Sequence, residues 1–296
     1  MACGIPFRRI QSEYSQASKV HLHHVCDLCS GFLICGMVIF CPWAFGTTQS
    51  WSIWTMNLAG YALGLMLLMK LWVRDRDGTP AARWETPGKL VDTMGTGKRQ
   101  SVWVVERTLG AACALLLLYV LVSAINARAT YIPSQLSFEY RDHIRWLPHS
   151  LDSSRTWKVL WNYLALAATF WAMRDWLLGK SAAEERLSPP SIAVASLPET
   201  APPFPRRLHL LLCLLALNGG LLAIEGIIQR LEGSSKLLFL VHPRVNPGAV
   251  TQFGPWAYRA NAAAWFNLLW PVCLGFWWTL HHHGGYNKLR HHWLLF

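Results

Sequence analysis

Charge is scarce in this chain, and acid scarcer still. Only 15% of the 296 residues are Asp, Glu, Lys or Arg, and the 16 acids are outnumbered by 27 basic residues. Ordinary soluble domains carry about 25% charged residues. Charge is missing altogether from six stretches, 28–45, 51–69, 109–125, 159–173, 208–224 and 260–280. A soluble helical bundle would keep a polar stripe along each helix, but Leu115-Leu-Leu-Leu118 and Leu210-Leu-Leu-Cys-Leu-Leu215 have none. These absences argue against a soluble class. A cleavable signal peptide is lacking too. Residues 1–24 are polar, and the first apolar run exceeds a signal h-region and has no clear small-residue cleavage site, so it reads as an uncleaved anchor. There is no internal repeat. Most of the 8 cysteines lie scattered within apolar runs, as small packing residues rather than a disulfide framework.

What is present fits a membrane. A helix rising about 1.5 Å per residue crosses a hydrocarbon core of about 30 Å with about 20 apolar residues. The runs measure 15 to 21 residues, and Trp157, Trp176, Leu177 and Leu178 extend the shortest. Many of the 17 tryptophans, among them Trp43, Trp51, Trp54, Trp72, Trp103, Trp157, Trp176, Trp277 and Trp278, crowd the run ends. There an indole can bury its rings and keep its N–H near headgroups. We therefore expect an all-α fold, a polytopic transmembrane helix bundle of about six spans plus the start of a seventh. The spans fall near 26–45, 51–72, 104–125, 157–178, 208–228 and 260–280, and residues 1–296 form a single membrane domain.

Basic residues retained on the cytoplasmic side set orientation. With the N-terminus and every second loop inside, 18 of the 27 Lys and Arg lie inside and nine outside. This predicts a cytoplasmic N-terminus, cytoplasmic linkers 74–101 and 181–206, and outer loops 126–156 and 229–259. The net charge of +11 is then a topology signal with some attraction to anionic membrane lipids, and no nucleic-acid footprint. The 181–206 linker carries six prolines and reads as a flexible tether. The outer loops hold Trp, Tyr, Phe, Arg and His, as an interaction surface would.

Several motifs invite chemistry. His21-Leu-His-His-Val-Cys-Asp-Leu-Cys29 resembles a metal site, but structural zinc needs two paired ligand sets or four convergent ligands, so we read it as a polar cap at the membrane interface. Gly95-Thr-Gly-Lys98 is no phosphate loop, because Asp92 occupies the first glycine position and Arg99 replaces Ser or Thr. His281-His-His283 with His291 and His292 decorates the interface after the last run. No metal or other cofactor is expected. Glu225 stands out, since a carboxylate one turn from the end of a span is a functional candidate by default; snorkelling, or pairing with Arg230 or Arg259, is its structural alternative. The 229–259 loop gathers Arg230, Lys236, Arg244 and Arg259 on the side where topology least favours cations. Guanidinium forks match phosphate oxygens, so a lipid phosphate is the simplest ligand.

Three stretches carry a family likeness: Pro42-Trp-Ala-Phe-Gly-Thr-Thr-Gln-Ser-Trp51, Glu225-Gly-Ile-Ile-Gln-Arg230, and Gln252-Phe-Gly-Pro-Trp-Ala-Tyr-Arg-Ala-Asn-Ala-Ala-Ala-Trp-Phe-Asn-Leu-Leu-Trp-Pro271. In them the chain resembles the O-antigen ligase and polymerase family of bacterial envelope proteins. It departs from the family at Arg259-Ala-Asn261, where one asparagine stands for a usual pair. Family members have roughly twice as many spans, so the likeness covers an N-terminal half, with Trp293-Leu-Leu-Phe296 as the start of a seventh span. The resemblance implies a multi-pass protein of the bacterial inner membrane that moves a glycan from an undecaprenyl-pyrophosphate carrier to lipid A-core or a polysaccharide acceptor at the periplasmic face. It points to Arg259, Asn261, Arg230, Arg244 and Glu225 as substrate-binding residues and to no particular catalytic residue. The other classes weighed are a lipid or polysaccharide transporter or flippase, disfavoured by uncharged span centres, and a non-catalytic membrane scaffold.

Overall fold

In the computed structural model every one of the six apolar runs lies in a helix, apart from the last two residues of the first. The structure describes residues 7–77, 97–180, 204–243, 252–283 and Leu294. Helix α1 covers Phe7–Trp43, α2 Ser50–Asp77, α3 Gly97–Ile125, α4 Ser153–Leu178, α5 Arg206–Leu231 and α6 Arg259–His283. One turn of 3-10 helix, Phe45–Thr47, joins α1 to α2. A hairpin of β1 (Ala129–Ile132) and β2 (Ser137–Tyr140) lies between α3 and α4 and pairs Ala129 with Tyr140 and Ile132 with Ser137. The fold is thus mostly helical, with one short sheet among the described residues.

Four stretches are long and apolar enough to cross a bilayer: Leu22–Trp43, Ser50–Arg76, Val104–Ile125 and Arg206–Leu231. They make this a membrane protein with transmembrane helices. Helices α4 and α6 fall short of the same apolarity, so the expected count of about six is not reached on that ground alone. The physical reason is composition. Each carries four tryptophans, and polar Asn162, Tyr163 and Thr169 in α4, or Asn267 and Pro271 in α6, dilute the aliphatic content.

Helix ends follow local chemistry. Pro205 precedes α5 with φ −52° and ψ 139°, a conformation outside the helix that leaves Arg206 to begin it. At the other end Gly233 takes φ +66°, and Ser234 N–H closes back to the Gln229 carbonyl at 3.3 Å. A left-handed residue just past the last turn is the usual glycine stop.

The chain divides into two compact units. One comprises Met1–Met56, Met69–Trp84 and Met173–Phe296, the other Asn57–Leu68 and Glu85–Ala172. In the second unit α2 meets α4 along a seam of small and polar residues. A Cβ on Gly60 would lie 2.7 Å from the Ala165 carbonyl oxygen, and one on Gly64 would lie 2.9 Å from Ala168 Cβ. Close backbone approach through glycine is how membrane helices associate where no hydrophobic drive separates them from lipid. Asn57 Nδ2 donates to Asn162 Oδ1 at 2.7 Å, and the Tyr61 hydroxyl donates to the Trp161 carbonyl at 2.8 Å.

In the first unit α1 is fastened to α5 by Asn218, midway along α5. Its Oδ1 accepts from Trp43 Nε1 at 2.7 Å and its Nδ2 donates to the Val38 carbonyl at 3.2 Å. Next to it, Gly219 leaves room for Leu269 of α6. Phe276, Leu280 and Leu294 form a further apolar cluster with Leu212 and Ala216 of α5.

Candidate functional site

Two polar constructions occupy opposite ends of the α1 span, Leu22–Trp43, and of α5. The first is a cap built where α1 ends and α5 runs into the 229–259 loop. Gln229 is fully buried and works as a splice, its Nε2 donating to the Lys236 carbonyl at 2.5 Å while its Oε1 accepts from Gly254 N–H at 2.6 Å. Buried Gln252 donates through Nε2 to the Ser234 carbonyl at 2.9 Å. Phe253 seats its ring on Gly226, where a Cβ would overlap it. Trp256 is buried with Leu222 and Ala262 and packed against Trp43, Trp265 and Phe266.

The turn between α1 and α2 completes the cap. Phe45, Gly46 and Thr47 take φ of 55°, 62° and 54° in succession. A Cβ on Gly46 would stand 2.6 Å from Trp256 Nε1, so glycine is needed there twice over, for its backbone and for the indole above it. Leu238 and Phe239 are also left-handed, at 50° and 61°. Such non-glycine residues cost of order 1–3 kcal/mol each and persist only where the surroundings over-determine them. Three stretches distant in sequence, around Gly46, Gly226 and Trp256, therefore meet in one cap.

Glu225 enters this cap. Its Oε2 would lie 2.8 Å from a Cβ on Gly254, itself at φ +56°. Both carboxyl oxygens are buried and have no hydrogen-bond partner among the described residues, so neither Arg230 nor Arg259 pairs with them. Arg230, Arg259 and Asn261 are exposed. Asn261 N–H closes onto the Tyr258 carbonyl at 3.0 Å. Arg244 lies outside the described residues. The cap thus unites Glu225 with the loop and holds Arg230 and Arg259 on exposed positions of the elements that flank it, without drawing the arginines onto the carboxylate.

Comparison with protein-family models, with curated proteins and with solved structures finds no match for this chain.

The second construction is an ionic network at the far end of the α1 span and of α5, marked by no motif in the sequence. Asp27 near the start of the α1 span, Lys70 and Arg74 near the end of α2, Asp175 near the end of α4 and Arg207 at the start of α5 converge. Lys70 bridges both carboxylates, 3.2 Å from Asp27 Oδ1 and 2.8 Å from Asp175 Oδ2. Arg74 grips Asp175 through two nitrogens at 2.6 and 3.2 Å, and its Nε donates to His23 Nε2 at 3.3 Å. Arg207 grips Asp27 at 2.5 and 3.2 Å, donates to the Trp176 and Lys180 carbonyls, and lies 5.4 Å from the Trp176 ring. Lys70 is only 1% exposed and Asp175 7%.

This network revises the polar cap expected of residues 21–29. His23 and Asp27 turn inward to the ions, Cys26 is buried, and His24 and Cys29 are exposed. Among the described residues no group of three or more His, Cys, Asp or Glu could hold a metal. Of the terminal histidines, His291 and His292 lie outside the described residues.

Proposed function

We propose that this chain serves glycan transfer from an undecaprenyl-pyrophosphate carrier to an acceptor sugar, lipid A-core or a growing polysaccharide, at the periplasmic face of a bacterial inner membrane. The observation that carries the reading is the cap, in which Gly46 lies under Trp256 while Gln229 and Glu225 meet at Gly254. It is assembled from the three stretches that resemble O-antigen ligases and polymerases.

On this reading all six helices span. The seam of α4 with the apolar helix α2, and the packing of α6 on α5, support counting both. The N-terminus is then cytoplasmic, with the ionic network at the inner boundary and the cap at the outer one. Transfer makes a bond from the acceptor hydroxyl oxygen to the anomeric carbon and breaks that carbon's bond to the pyrophosphate oxygen, so that undecaprenyl pyrophosphate leaves and the hydroxyl proton is released. Since pyrophosphate leaves readily, the protein's task is to orient the reactants and stabilise departing negative charge. Arg259 opens α6 at the cap, and Arg230 lies in the last turn of α5. Both are exposed where a headgroup would arrive. Exposed Asn261 offers both a donor and an acceptor for sugar hydroxyls, Glu225 stands buried in the cap behind it, and Arg244 is a further cation of the same loop.

The test is Arg259→Ala, assayed both for retention of undecaprenyl pyrophosphate and for transfer to an acceptor in membranes. A charge-assisted hydrogen bond contributes about 1.5–3 kcal/mol, so its loss is expected to weaken binding or rate roughly 10- to 150-fold at about 1.4 kcal/mol per decade. Arg259→Lys keeps the charge without the fork and should recover part of it. Parent-level binding and transfer by Arg259→Ala would refute this use of the cap.

A further inference from the structure

The segment between α3 and α4 lies outside the apolar spans yet shows large apolar side chains to its surroundings. Trp146 is 83% exposed and Leu136 81%, and Tyr140, Ile144 and Leu151 are exposed as well. On an extramembrane loop in water this would be an unusual amount of bare apolar surface.

Where the loop is held explains it. Helix α3 is one of the spanning helices and ends at Ile125. The next residue, Asn126, pins the turn that carries Trp146. Its Nδ2 donates to the Ile144 carbonyl at 2.8 Å, with longer contacts to the Leu147 and Pro148 carbonyls at 3.4 and 3.3 Å, and its Oδ1 accepts from Ile144 N–H at 2.8 Å. Ser150 Oγ donates to the Ser123 carbonyl at 3.0 Å, fastening the segment one turn deeper. Side chains of Leu147 and Pro148 also line an apolar groove together with Leu115, Leu118, Tyr119 and Val122 of α3. Those α3 residues belong to the span itself, so the turn 144–148 sits against the last turns of a membrane helix and at their depth. Arg141 and Arg145 are exposed on either side of Ile144.

We infer that the 141–148 stretch of this segment is a membrane-seated element, with Trp146 anchored at the boundary of headgroups and acyl chains and Arg141 and Arg145 facing lipid phosphates. An amphipathic indole belongs at that level, and a surface element that exposes apolar side chains beside cations lies in the bilayer interface rather than above it. The partner is phospholipid. This holds whichever side of the membrane the loop occupies, and it stands apart from the glycan-transfer reading.

The full chain in nanodiscs of phosphatidylcholine and phosphatidylglycerol tests it. A benzophenone amino acid placed at position 146 is compared with one at 139, an exposed position on β2. Irradiation and mass spectrometry should give phospholipid adducts at 146 in several-fold greater yield than at 139. Equal yields, or adducts at 146 only to a second copy of the chain, would overturn the inference. Should the benzophenone perturb folding, Trp146→Phe provides a second route. The emission it removes should be quenched by lipids brominated high on the acyl chain more than by aqueous acrylamide, and the reverse order would equally overturn the proposal.

Discussion

The ionic network yields an unequal response to neutralising its members. Its contacts join three cations, Lys70, Arg74 and Arg207, to two carboxylates, Asp27 and Asp175. Asp175→Asn keeps the shape but strips the negative charge from beneath both Lys70 and Arg74. Removing one partner of a buried pair typically costs 3–5 kcal/mol, because the other charge is left uncompensated. We expect about that loss for Asp175→Asn. Lys70→Met removes a cation still more deeply buried, yet leaves each carboxylate its own guanidinium, Asp27 with Arg207 and Asp175 with Arg74. Lys70 also carries a desolvation cost that methionine avoids. The expected change is about 1 kcal/mol in either direction, within the range for replacing buried ions by packed apolar groups. Reversible unfolding in mixed detergent micelles, followed by helix content, measures both. The double variant should be less destabilised than the sum of the single changes, since neighbours in one network are not additive. A Lys70→Met loss equal to or greater than that of Asp175→Asn would refute the reasoning that Lys70 is the surplus charge.

Two further outcomes follow from the fold. Gly46→Ala should lower stability by at least about 1–3 kcal/mol, because alanine pays for φ +62° and its methyl meets the Trp256 indole; an unchanged unfolding midpoint would show that the cap does not rest on this turn. Cysteine introduced at Ser234 should react with a membrane-impermeant maleimide in intact spheroplasts while one at Ser196, outside the described residues, should not, and labelling of Ser196→Cys from outside would reverse the proposed orientation.

The helices were legible because long uncharged runs have few alternatives: every run found in the sequence lies in a helix, save the last two residues of the first. The ionic network was not legible for a related reason. The apolar runs stop at 28, 69 and 173, where Asp27, Lys70 and Arg174 with Asp175 adjoin them, so charges that end a run look like markers of the membrane boundary. Only the tertiary meeting of four helix ends turns them into a buried set. A sequence signal did exist, since Asp27 and Asp175 are acids at run ends in a chain poor in acid. The β1–β2 hairpin was missed because β2 is exposed throughout and its four residues bury no face. At the cap, Arg259, Arg230 and Glu225 were legible as residue types near a span end. Gln229 and Gln252 were not, as neutral amides that matter through the backbone groups they hold.

The α2–α4 seam and the ionic network share a further property, the long interval of synthesis that separates their partners. Asn57 precedes Asn162 by 105 residues, and Asp27 precedes Arg207 by 180. At roughly 5–20 residues per second, Asn57 emerges about 5–20 s before the amide that satisfies it, and Asp27 about 9–36 s before its guanidinium. Through that interval Asn57 lacks its amide partner and Asp27 has Lys70 alone, so the early helices must keep both side chains near the translocon's water or at the bilayer edge. Biogenesis is thus ordered by α4 and α5: a ribosome halted after α3 would leave Asn57 without Asn162 and Asp27 without Arg207, held by Lys70 alone, as a substrate for quality control.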